Sequence, residues 1–179
     1  MPDAPHGEDA VLVAVQHALA DRPGVLATAR GLSHFGEHSL GWLALAALGA
    51  LLVPSRRRDY LAAGVGAFLA HAAAVVIKRV VRRERPHHPA IAVNVGTPSR
   101  LSFPSAHATS TTAAAVLLAR PTGLPLPALL VPPMALSRMV LGVHYPSDVL
   151  AGVVIGGIVG KAVGKTVGRV ADRVEGGPS

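Results

Sequence analysis

The chain is a series of long apolar runs, each closed by proline or by basic residues, and this pattern limits the folds open to it. The runs cover roughly residues 35–53, 60–77, 105–119, 124–143 and 146–167. A helix of about 20 apolar residues crosses a bilayer core. Backbone polar groups in hydrocarbon must be paired inside their own segment, so apolar runs of this length are helices. The expected architecture is therefore all-α: an integral membrane bundle of about five transmembrane helices. Only 15% of residues are charged, against roughly a quarter in soluble domains. Residues 9–171 read as one membrane domain, with flexible tails at 1–8 and 172–179.

Residues 9–32 are different. Val11, Val15, Leu19 and Leu26 alternate with Gln16, His17, Asp21 and Arg22, and Pro23 divides the segment. This is too polar to span and is expected to lie at the interface as an amphipathic segment. No signal peptide is expected after the polar first residues, and without cysteine there is no disulfide or thiolate chemistry.

The formal charge is +7. The basic residues interrupt apolar helices rather than forming one polar face, which disfavours nucleic acid as a partner. Anionic headgroups or phosphorylated substrates fit better. Arg56, Arg57 and Arg58 fall on one side of a five-helix arrangement, together with Lys161, Lys165, Arg169 and Arg173. The positive-inside rule makes that side cytoplasmic, in a cell membrane crossed several times. Arg79, Arg82, Arg83 and Arg100 weigh on the other side, the expected extracytoplasmic face.

Three polar blocks lie at that second side. In the first, Lys78 and Arg85 are separated by two helical turns, and Pro86 follows. On a continuous helix they share a face and can converge on one dianion, Arg as a planar fork and Lys as a point charge. Snorkelling basic side chains would give the same pattern. The second block is Pro104-Ser105-Ala106-His107. Ser105 suits an N-cap, and N–H groups at a helix start attract anions. A histidine beside that anion can act as a general acid, or simply face the headgroups. In the third block, Ser137 and Arg138 precede His144, and Asp148 follows four residues later. An intramembrane Arg138 needs a partner. Asp148 in a first helical turn could orient His144 as a nucleophile, or serve as an ordinary cap.

Together these blocks resemble the type 2 phosphatidic acid phosphatase superfamily, whose signature is K-x6-RP, PSGH and SR-x5-H-x3-D. The first and third parts are intact; Ala106 stands where glycine is usual. Alanine keeps the backbone N–H and adds one methyl, a slightly tighter phosphate pocket. The resemblance covers about residues 36–168. It implies that Lys78, Arg85 and Arg138 bind phosphoryl oxygens, with hydrogen bonds from Ser105 and the Ala106 backbone. It further implies that His144 attacks phosphorus, Asp148 orients His144, and His107 protonates the leaving oxygen and then activates water. The three cations would stabilise the transition state without a metal or cofactor. The implied partner is a phosphorylated lipid. Short members rich in alanine and valine make a polyprenylphosphoryl phosphoribose of cell-wall arabinan synthesis the narrowest expectation. A polyprenyl diphosphate or phosphatidylglycerophosphate substrate stays open, as does a non-catalytic carrier or flippase.

Other residues invite a role. His71 either lines a substrate groove or is a satisfied interhelical histidine, and His87-His88 lack an evident third ligand for a metal. Gly152, Gly156, Gly160, Gly164 and Gly168 form a smooth stripe. Such a stripe packs within the bundle or against a second copy as a homo-oligomer.

Overall fold

The computed structural model describes residues 4–175. Seven helices follow in chain order: α1 (Gly7–Leu19), α2 (Val25–Gly36), α3 (Leu40–Leu52), α4 (Arg57–Val81), α5 (Ala106–Thr122), α6 (Leu126–Val140) and α7 (Pro146–Glu175). Among the described residues there is no strand, and one isolated bridge joins Glu84 to Leu101. The architecture is the all-helical one expected. The tails are shorter at the described ends than the sequence implied: Gly7 and Glu8 belong to α1, and α7 continues to Glu175. The remainder of the expected tails, at 1–3 and 176–179, lies outside the described residues.

Helix α5 is the hub, packed between α4, α6 and α7. Ser105 caps its start, accepting from the Ala108 N–H at 3.4 Å, and Gly123 ends it at φ 70°. Such a left-handed residue closes a helix at little steric cost when it is glycine. The α5 face toward α7 explains the glycine stripe. A methyl at Gly152 would lie 2.8 Å from the Ser105 carbonyl, and one at Gly156 would collide with the Thr109 carbonyl. Gly160 and Gly164 face Ala113, Val116 and Leu117 of α5. The stripe packs inside one chain from 152 to 164, so those positions are not open to a second copy.

Much of the apolar surface points outward. Leu51, Leu61, Phe68, Val76, Leu150, Val154 and Ile158 are exposed, while Thr109, Ser110, Thr111 and Thr112 of α5 are buried. The buried hydroxyls return to helix carbonyls, as Thr109 does to Ser105, or accept from a neighbour, as Thr111 does from Trp42 Nε1 at 3.2 Å. An exposed apolar belt of this extent suits lipid. Among the described residues, three segments are long and apolar enough to cross a membrane: Val25–Leu52, Pro54–Val81 and Pro146–Val170.

The first of these differs from the sequence-based boundary. It joins α2 and α3 across a 3₁₀ turn in which His38 and Ser39 have φ of 49° and 62°. Alone, the 13 residues of α3 reach only about 20 Å. Helices α1 and α2 pack on the end of α6, where Ala29, Val140, Leu141 and Val143 form a core with Val15 and Leu26. Gln16 ties this end to the loop after α4. Its amide donates to the carbonyls of Ala92 and Val140, at 2.7 and 3.1 Å, and its oxygen accepts from the Ala92 N–H.

Candidate active site

The ends of α2, α4 and α6, the loop after α4 and the start of α5 meet at one end of the bundle around a cavity of about 400 Å³. Lys78, Arg85, Ala106, His107, Arg138 and His144 all line it. Ser105 and Asp148 lie just behind, fully buried. The eight residues singled out in the sequence are thus gathered at one place. Lys161 and Lys165 sit at the opposite end, lining a groove with Asp59 of the first turn of α4.

Lys78 and Arg85 do not converge along one helix. Helix α4 stops at Val81, and Arg82 is left-handed at φ 54°. Beyond it the chain runs extended against residues 100–102, with Arg85 N–H donating to the Arg100 carbonyl and Ser102 N–H to the Arg83 carbonyl. Pro86 explains this, because the residue before a proline is pushed out of helical space. The two cations meet because the loop doubles back.

Each cation has a distinct condition. Lys78 spends its three N–H bonds on the carbonyls of Leu101, Ser102 and Pro104, at 3.3, 2.7 and 2.7 Å. It therefore holds the loop leading into Ser105 and offers the cavity its charge. Arg85 donates to the carbonyls of Ser99 and Val143, at 2.8 and 2.6 Å. Burial pulls its pKa down to about 10, which leaves it charged. Arg138 is only 2% exposed, and its Nε and Nη1 have no partner among the described residues. A buried guanidinium with unpaired donors is costly unless an anion completes it.

His144 is fixed by its surroundings. Nδ1 lies 3.6 Å from Asp148 Oδ2, and Nε2 lies 3.4 Å from Arg85 Nη1. A guanidinium can only donate, so Nε2 carries the lone pair and Nδ1 the proton, directed at the carboxylate. Burial first, and then Arg85, Arg138 and Lys78, push the His144 pKa well below the ordinary 6.5. The imidazole is neutral and its Nε2 nucleophilic. Asp148 is held in turn: Oδ2 accepts from the Tyr145 N–H at 2.9 Å, and Oδ1 from Arg83 Nη1 at 3.0 Å.

Arg83 was legible only as a surface charge. It joins Asp148, Ser147 Oγ at 2.6 Å and Glu8 at 2.6 Å, and its guanidinium stacks 4.2 Å over the Tyr145 ring. Glu8 also accepts from the Ser147 N–H at 2.8 Å. The α1 start is thereby fastened to the α7 start, beside the His–Asp pair. Serine 33 was also missed, because its contribution is a backbone carbonyl 2.9 Å from His107 Nε2. That carbonyl can only accept, so Nε2 carries a proton and Nδ1 is free for chemistry. Gly36 allows the approach: a methyl there would lie 2.6 Å from the His107 ring.

Among the described residues no group of three or more His, Asp or Glu side chains is arranged to hold a metal ion. The site instead presents anion donors beside an oriented imidazole nucleophile and a second histidine. That is the equipment of phosphoryl transfer through a covalent intermediate.

Comparison with known proteins agrees with this class. Residues 59–171 match the PAP2 superfamily, and the chain belongs to it. It is 82% identical over 152 residues to the decaprenylphosphoryl-5-phosphoribose phosphatase of Mycolicibacterium smegmatis (strain ATCC 700084 / mc(2)155), covering 85% of this chain and 84% of that one. It is 75% identical over 152 residues to the protein of the same name from Mycobacterium tuberculosis (strain CDC 1551 / Oshkosh), covering 85% and 86%. In fold it is similar to a transmembrane PAP2-type phosphatidylglycerolphosphate phosphatase from Bacillus subtilis, with a TM-score of 0.70 and 21% identity, over 90% of this chain and 86% of the other. The chain is a phosphatase of this membrane family.

Proposed function

We propose that this protein hydrolyses the phosphate monoester of a polyprenylphosphoryl phosphoribose, at the extracytoplasmic face of the cell membrane, through a phosphohistidine on His144. The observation that carries the reading is the Arg138 guanidinium, buried with two unpaired donors in the cavity that holds His144. A phosphoryl group between Arg138, Arg85 and the start of α5 satisfies those donors. The names of the 82% and 75% identical relatives supply the substrate. An arrangement of five crossings, with Arg56–Arg58, Lys161 and Lys165 on the cytoplasmic side, supports an outward-facing cavity.

In the first half-reaction the Nε2 lone pair of His144 attacks phosphorus, and the bond from phosphorus to the sugar oxygen breaks. His107, held at Nε2 by the Ser33 carbonyl and protonated at Nδ1 once the phosphate dianion is bound beside it, donates that proton to the sugar oxygen. Asp148 stabilises the positive charge that develops on His144. In the second half water attacks the phosphohistidine. His107 Nδ1 takes the water proton, the P–N bond breaks and inorganic phosphate leaves. Lys78, Arg85 and Arg138 stabilise the equatorial oxygens in both steps.

The test is phosphate release by the purified protein in EDTA, from a polyprenylphosphoryl phosphoribose, a polyprenyl diphosphate, phosphatidylglycerophosphate and phosphatidic acid. The first should be the best substrate, and vanadate should inhibit. His144→Ala should lower turnover roughly 1000-fold or more. Retention of wild-type turnover by that variant would exclude the phosphohistidine. Lipid binding with no phosphate release by the wild type would point to a carrier.

A further inference from the structure

The cavity is larger than a phosphate needs, and a further stretch of its wall is polar. It is built by Glu37 and His38, at the corner between α2 and α3, and by His71, two turns before Lys78 on α4. The Nδ1 of His71 is buried with no partner among the described residues, and its ring stands 5.9 Å from that of His38. The Glu37 carboxylate lies within electrostatic reach of Arg138 and makes only a loose 4.0 Å approach to His34.

A carboxylate is out of place beside a phosphate, because two anions repel. It is well placed for a hydroxylated group attached to that phosphate: a carboxylate accepts from two adjacent hydroxyls, as acidic residues do on ribose in dinucleotide sites. The histidines can donate or accept as the hydroxyls require. The kinked backbone at His38 and Ser39, left-handed at two non-glycine residues, turns Glu37 and His38 toward this space. Strain of that kind persists where surrounding structure over-determines it.

We infer that Glu37, His38 and His71 form a subsite for the vicinal hydroxyls of the sugar that bears the scissile phosphate, and that this subsite selects sugar phosphates over acylglycerol phosphates. The inference rests on the phosphatase reading of the cationic end. Glu37 takes the diol and His71 gains the partner it lacks. The subsite acts on binding and alignment, not on the phosphorus.

The experiment compares kcat/KM for a short-chain polyprenylphosphoryl phosphoribose with that for its 2,3-dideoxy analogue, in the wild type, Glu37→Gln and His71→Phe. Loss of a hydrogen bond to a charged group corresponds to roughly 10- to 100-fold in the wild-type preference for the hydroxylated substrate. Both variants should collapse that preference toward one. A wild-type ratio near one overturns the subsite, and so does a ratio that survives in both variants. A proportionate fall on both substrates in both variants also overturns it, since it marks a structural role. Failure of the phosphatase reading looks different: no phosphate is released from either substrate by the wild type, or His144→Ala is as active as the wild type.

Discussion

At the scale of residues, the site depends on which nitrogen of each histidine is committed. His144 turns Nδ1 toward Asp148, at 3.6 Å, and Nε2 toward the Arg85 guanidinium; His107 commits Nε2 to the Ser33 carbonyl and leaves Nδ1. Because burial and three cations depress the His144 pKa, its ring should stay neutral at pH 6.5. Nitrogen chemical shifts of labelled protein should show no protonation of His144 until the pH is well below that value; half-protonation near 6.5 would contradict the geometry. The same depression makes folding stability from this group complete above 6.5 and progressively lost as the pH falls toward its folded pKa, because the unfolded chain then binds the extra proton. Arg83 acts one step back. Arg83→Ala should lower kcat roughly 10- to 100-fold, through a misaligned Asp148, with little change in KM. Arg83→Lys should recover part of it, because one charged donor to Asp148 remains. A KM effect with unchanged kcat would remove Arg83 from the positioning chain.

At the scale of elements, α5 and α7 hold the site in register. Their contact brings the Ser105 N–H to the Asp148 carbonyl at 3.0 Å, so the start of α5 and the His–Asp pair share one joint. Gly156 makes that contact close. Gly156→Ala should cost about 1–3 kcal/mol, the usual range for overpacking a tight interface, read as a lower thermal midpoint in detergent. Gly168→Ala meets open space and should leave the midpoint unchanged or slightly higher, since alanine favours a helix interior. Sequence reasoning found these helices because their apolar runs and caps are local signals. It placed Arg85 on a helix with Lys78 because a spacing of seven fits two turns. The pre-proline restriction at Arg85, visible in the sequence, carried the better answer: an extended segment after α4.

At the scale of the whole molecule, the apolar belt lies outside and the polar chemistry gathers at one end. If the bundle is inserted with Arg56–Arg58 on the cytoplasmic side, a cysteine placed at Asn94 is labelled from outside intact cells by an impermeant thiol reagent. One placed at Arg57 is labelled only after permeabilisation. The reverse pattern would turn the site inward. The N-terminal helices belong to this scale too. Gln16 and Glu8 are far in sequence from every signature block, yet one anchors the α4–α5 loop and the other closes on Arg83. Gln16→Ala would strand the Ala92 N–H and leave the Ala92 and Val140 carbonyls only the 3.4 Å bonds from the Asn94 amide, a loss of about 1–3 kcal/mol, seen as faster proteolysis of that loop.

The sequence alone determined the helical class, the membrane habit and the eight candidate residues that the fold gathers at one end. Those follow from hydrophobic runs, caps and short spacings, which are properties of local segments. Only the tertiary structure decided how the residues share the work. Lys78 spends its hydrogen bonds on backbone carbonyls, Arg138 is left unpaired, and Ser33, Gly36, Glu8 and Arg83 join the site from elsewhere in the chain. The physical reason is that these roles rest on backbone carbonyls, close approaches and ion pairs between distant segments, which have no periodicity or spacing to read.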